Sequence, residues 1–148
     1  LPNADTDGRI LIQMMTQFVE RHSNARLYAS LGQLRYLSCI AQVDGVVGNS
    51  SSGLAEVPSF KKGTINIGDR QRGRLQAASV INCAPARGDI TAALERLYSA
   101  DFQASLRQVR NPYGDGGASE KVLRILREHP IKHIAKKSFH DLQQPTKV

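Results

Sequence analysis

The stretch from Val46 to Arg74, VVGNSSSGLAEVPSFKKGTINIGDRQRGR, constrains this chain more than any other. An apolar run, Gly45-Val46-Val47, stops at Gly48-Asn49. Three serines and a glycine follow, then apolar residues at Leu54, Val57 and Phe60, then the β-branched run Thr64-Ile65-Asn66-Ile67. This pattern predicts strand, tight turn, short helix and strand. Ser50, Ser51 and Ser52 stand where a helix N-cap belongs, so their hydroxyls and neighbouring N–H groups are predicted to point out of the helix start and make an anion site. Gly53 would let a ligand approach the backbone closely. Glu56 falls further along, at a distance suited to hydroxyls attached to the anion. Arg70, Arg72 and Arg74 follow the second strand and add positive charge on the same rim. Taken singly, each piece has a plainer reading: serines cap helices, and a lone Glu or Arg is solvated surface. Together they lie at the carboxyl edge of a βαβ unit, where open α/β sheets bind ligands. The ligand that matches all of them is a nucleoside diphosphate.

The rest of the chain alternates in the same way. Thr6 and Asp7 are capping candidates for a helix from about Gly8 to His22, whose Ile10, Leu11, Met14, Met15, Phe18 and Val19 recur at helical spacing and are predicted core residues. Ala25 to Leu31 reads as a strand that places Ser30 and Leu31 at its carboxyl end, and Leu34 to Gln42 as a buried helix. Ala77 to Cys83 reads as another strand. Asp89 is the predicted cap of a helix with Leu94 and Leu97 inward, and Asp101 opens a further helical piece. The glycine-rich NPYGDGG fits neither a GxxxxGK[ST] loop nor a strand-to-helix turn and is read as a structured turn before a helix ending near His129. The sum is an α/β chain: a Rossmann-like parallel sheet with helices on both faces. Two domains are expected, a nucleotide-binding one over 1–130, truncated at its N-terminal side, and a basic helical tail over 131–148. The first is expected to be a piece of a longer protein, because LPN leads almost at once into a helix where a doubly wound domain opens with a strand.

Composition narrows the partners. A net charge of +7 over 148 residues favours acidic ligands. The charge is not gathered into an aromatic-interleaved stripe, and no nucleic-acid motif is present, so nucleic acid is not expected. No run is long enough for a membrane span. Cys39 and Cys83 sit in apolar contexts without metal spacing and read as buried free thiols of a reducing, cytoplasmic compartment. His133 and His140 lack a third ligand, so no metal and no cofactor is expected. No nucleophile elbow, HExxH or Cys–His pair is visible, so no catalytic residue is assigned to this chain.

GNSSSGLAEVPSF, INIGDRQRGR and NPYGDGGAS, with PNADTDGR and SLGQLRYL, resemble the C-terminal half of the UDP-N-acetylglucosamine 2-epimerase family, in its hydrolysing branch. The non-hydrolysing branch carries a different serine-turn motif, from which this chain departs. The resemblance covers essentially the whole chain. It implies one half of a two-domain fold of the glycosyltransferase B type, with Ser50 and Ser51 on the UDP diphosphate, Glu56 on the ribose hydroxyls, Arg70 lining the UDP site and the Ser30–Leu31 backbone reading uracil. Asn3 and Arg9 match a cleft-facing loop where some relatives bind an inhibitor, and Arg74 is a further cleft candidate. The implied reaction eliminates UDP from UDP-GlcNAc and hydrates the glycal to N-acetylmannosamine, on the way to sialic and related acids. Its acid and base groups belong to the N-terminal half, so this piece alone is expected to bind UDP weakly and turn over nothing. UDP or UDP-GlcNAc, the N-terminal half and a second copy are the partners expected. Two other classes stay open: a glycosyltransferase of the same overall fold, and a basic anion-binding module without catalysis.

Overall fold

The computed structural model describes residues 8–130. Asn3 and the basic tail 131–148, with His133 and His140, lie outside them. The chain divides into two compact units after Gly114. The first begins with helices α1 (Gly8–Arg21) and α2 (Gly32–Gln42) and continues into strand β1 (Gly45–Gly48). A single turn of helix, α3 (Ser52–Ala55), and a 3-10 turn (Val57–Phe60) lead to β2 (Gly63–Ile67). Then come β3 (Val80–Cys83), α4 (Arg87–Tyr98), α5 (Ala100–Ser105) and a 3-10 turn at Leu106–Gln108. The second unit contains α6 (Ala118–Glu128), entered from Gly117 in the left-handed conformation (φ 71°). That residue is the last of the NPYGDGG turn, which is therefore a helix entry, as its glycines require.

Among the described residues three strands form one parallel sheet in the order β1-β2-β3, with Val46 opposite Thr64 and Ile65 opposite Ile81. Side chains alternate across a strand, so β2 has two different faces. Gly63 and Ile65 face α4 and α5, where Ile65, Ala77, Ile81, Ala93, Leu97, Phe102, Leu106 and Val109 make the apolar core. Thr64 and Asn66 face the other way, and Thr64 meets α3 at Gly53. Helices therefore cover both faces, as the alternation of elements predicts. A pair of glycines in register, Gly45 and Gly63, makes the groove that receives Leu97: a Cβ would lie 2.8 Å from a Leu97 methyl at the first and 2.3 Å at the second.

The structure departs from the sequence expectations at several elements. Residues Ala25 to Leu31 form no strand. The Arg26 guanidinium turns back to the carbonyls of Ser23 and Ala25 at 2.6 and 2.7 Å, and Ser30 Oγ accepts from the Gly32 N–H at 3.2 Å, so local turn chemistry takes both ends of the segment. Helix α1 has the predicted bounds to within a residue, but its apolar stripe is at the surface: Ile10, Leu11, Met14 and Phe18 are exposed. Helix α2 buries only Ile40, and Leu34 is 81% exposed. Of the two leucines expected inward on α4, Leu97 is buried and Leu94 is not. Asp89 is no cap; it sits in the first turn of a helix entered at Ala86, where its charge still suits the helix start. The cap of α5 is Ser99, whose hydroxyl accepts from the Phe102 N–H.

Candidate nucleotide site

All three strands run the same way, so the turn after β1 (Asn49–Ser51), the loop after β2 (Gly68–Arg74) and the turn after β3 (Ala84–Ala86) share the carboxyl edge of the sheet. Gln71 ties two of them together. Its side chain is buried, and Nε2 donates to the Asn49 carbonyl at 2.7 Å. This bond places Arg70 in the loop pinned to the residue before Ser50. Sequence reading passed over Gln71, whose only signal was a neutral polar residue between two arginines.

The serine turn is arranged differently from a simple cap. Ser51 is the N-cap of α3 yet makes no side-chain cap bond, and Ser50 Oγ accepts weakly from the Ser52 N–H at 3.4 Å. The N–H groups of Gly53 and Leu54 go to the carbonyls of Ser50 and Ser51 at 3.2 and 3.0 Å. Gly53 itself is buried, and a Cβ there would lie 2.6 Å from Thr64 Cγ2, so helix-on-sheet contact is the packing reason for the glycine. Thr64 Oγ1 donates to the Gly53 carbonyl at 2.8 Å and fixes the turn to β2. With four residues, α3 is too short to carry much macrodipole. Ser50, Ser51 and Arg70 are all exposed at this edge, and none of the three lines either cavity nearby.

Two cavities open near this edge. The smaller, about 550 Å³, is lined by Tyr28 to Gln33, Tyr36 and Glu56. It brings Ser30 and Leu31 together with a carboxylate that lies some two dozen positions further along the chain. Glu56 is half-buried; Ser52 Oγ donates to its Oε2, and Tyr36 Oη lies 2.6 Å from Ser52 Oγ. Tyr36 is a second residue without a signal of its own in the sequence, since LRYLSCIAQ has the apolar density of a buried helix. The larger cavity, about 730 Å³, lies beyond the ends of β2 and β3 and includes Asn66, Asp69, Arg72, Arg74, Asn82 and Cys83. Arg74 thus belongs to this second cavity, away from the carboxylate. Arg9, exposed in the first turn of α1, lines neither cavity. Among the described residues no cluster of three metal-ligating side chains is found, and no helix is long and apolar enough to cross a membrane.

The sequence profile of the UDP-N-acetylglucosamine 2-epimerase family matches residues 1–127. The chain belongs to that family. Among curated relatives of this epimerase family, polysialic acid biosynthesis protein P7 of Escherichia coli is 36% identical over 145 residues, 97% of this chain and 37% of its own length. GDP/UDP-N,N'-diacetylbacillosamine 2-epimerase (hydrolyzing) of Campylobacter jejuni is 36% identical over 142 residues, 95% of this chain and 36% of its own. UDP-N,N'-diacetylbacillosamine 2-epimerase (hydrolyzing) of Legionella pneumophila is 32% identical over 132 residues, 88% of this chain and 33% of its own. The chain therefore spans about a third of the length of the relatives it matches.

The two cysteines, expected to be buried, differ in reach: Cys39 is exposed and Cys83 half-buried, both as free thiols. Burial pushes the Cys83 thiol above its usual range, and the Asp89 carboxylate adds to the rise. At pH 8 Cys83 holds less thiolate than an ordinary cysteine and is less accessible than Cys39, so iodoacetamide followed by peptide mass mapping is expected to label Cys39 first. Equal labelling of both would contradict this placement.

Proposed function

We propose that this chain is the UDP-binding part of a hydrolysing UDP-sugar 2-epimerase that works in the cytoplasm. Uracil sits against the Ser30–Leu31 backbone, the ribose hydroxyls donate to Glu56, and the diphosphate lies at Ser50 and Ser51 with Arg70 nearby. The observation that carries this reading is the single cleft in which Ser30, Leu31 and Glu56 meet, close to the serine turn. Ser52 and Gly53 serve the site from behind, one by holding Glu56 and the other by seating α3 on β2.

In the whole protein the reaction follows from where charge appears. Removal of the C2 proton and departure of UDP leave a glycal. Water then adds across the double bond, hydroxyl to C1 and a solvent proton to C2 on the opposite face, giving the 2-epimeric free sugar. Negative charge grows on the leaving diphosphate, and fixed hydroxyl donors with an arginine at that point stabilise the transition state more than the ground state. The proton-transfer groups come from the other domain. The substrate is UDP-GlcNAc or a related 2,4-diacetamido sugar nucleotide, and the product feeds nonulosonic acid synthesis for a surface polysaccharide.

The full-length parent, incubated with UDP-GlcNAc in D2O, is expected to release UDP and N-acetylmannosamine carrying deuterium at C2. Transfer of the sugar to an added acceptor, with C2 unexchanged, would overturn the epimerase reading in favour of a glycosyltransferase.

A further inference from the structure

Glu56 is held by a chain of hydroxyls that starts on a different helix. Ser52, one turn back on α3, donates to Glu56 Oε2, and Tyr36 Oη on α2 lies 2.6 Å from Ser52 Oγ. The direction of the second bond follows from proton count. A serine hydroxyl has one proton, and a carboxylate only accepts. With that proton given to Glu56, Ser52 can only accept from Tyr36. Tyr36, Ser52 and Glu56 are all half-buried, and Tyr36 and Glu56 both line the smaller cavity.

We propose that Tyr36 is a positioning residue for ribose recognition: acting through Ser52, it fixes the Glu56 carboxylate so that the cleft selects ribonucleoside over 2'-deoxyribonucleoside diphosphates. This rests on the cleft being the UDP site. A glutamate side chain is long and loses rotamer freedom when it is fixed, and two hydrogen bonds in series meet that cost before the ligand arrives. Oε2 is engaged from the protein side. A ribose diol then offers two donors to a carboxylate already in place, whereas a 2'-deoxyribose leaves an acceptor in the cleft unpaired. A tie that merely pinned α2 to α3 would weaken every ligand of the cleft equally.

The test is calorimetric titration of UDP and 2'-deoxy-UDP into the 148-residue chain, and into its Tyr36→Phe and Ser52→Ala variants. The unaltered chain is expected to prefer UDP by roughly tenfold, and each variant to reduce that preference to about twofold or less, while 2'-deoxy-UDP affinity shifts by less than about threefold. Ser52→Ala cuts the same chain from the other helix, so one variant serves if the other does not fold. The double variant is expected to match Ser52→Ala alone, because the chain is already broken. Equal losses for both nucleotides, or an unchanged preference in both variants, would overturn the assignment. UDP binding without any ribose preference would overturn it and leave the UDP site standing, whereas a folded chain that ignores UDP would remove both.

Discussion

Glu56→Ala is expected to lower UDP affinity by roughly ten- to a hundredfold, the usual effect of removing a charged partner from a hydrogen-bonded ligand hydroxyl. The residue is half-buried on the wall of the smaller cavity and already engaged by Ser52. Loss of the carboxylate therefore leaves Ser52 without its acceptor and a nucleotide without its ribose contact. Glu56→Gln keeps the size and an acceptor oxygen but removes the charge, and should fall between the two. Thermal unfolding without ligand checks that the variants fold alike. If both bind UDP as tightly as the unaltered chain, the ribose is not at Glu56.

Leu97→Ala is expected to destabilise the first unit by about 3–4 kcal/mol, measured by urea unfolding. Leu97 is 2% exposed, and its methyl groups fill the groove left by Gly45 and Gly63, with Phe102 alongside Gly63. Truncation removes apolar contact and opens a void between α4 and the strands β1 and β2. The groove makes a second expectation. A Cβ on Gly63 would lie 2.3 Å from Leu97 Cδ1, so Gly63→Ala alone overpacks the same space, at a cost of about 1–3 kcal/mol. In the double variant each change relieves the other, and the combined loss should be smaller than the sum by about 1 kcal/mol. Strict additivity would mean that the two residues do not share that space.

The elements that pair or pack locally were legible in the sequence. The β-branched run at Thr64–Ile67, the glycine-rich entry to α6 and the helical spacing of α1 all predict what is found, because turn residues and side-chain period act within a few positions. What was not legible depends on partners distant along the chain. Ala25–Leu31 has a strand-like composition, but Arg26 and Ser30 satisfy its ends in turns. The stripe of Met14 and Phe18 has the pattern of a core face and lies at the surface, since periodicity says which face is apolar and not what covers it. At the candidate site, the serines, Glu56 and Arg70 were marked by type and spacing. The residues that position them were not. Gln71 reaches Asn49 across two loops and Tyr36 reaches Ser52 from another helix, relations that only the packed fold creates, and Gly53, marked for ligand approach, owes its place to packing on Thr64.

The most direct measurement is a UDP titration of the uniformly 15N-labelled chain, read from backbone amide shifts. The expected result is a saturating shift of amides in Tyr28–Gln33 and Ser50–Glu56, with Arg70 and Gln71 following through the bond to Asn49. Shifts confined to Gly68–Gln76 and Asn82–Ala84, around the larger cavity, or a well-dispersed spectrum that UDP leaves unchanged, would contradict the assignment of the nucleotide to the cleft beside Glu56.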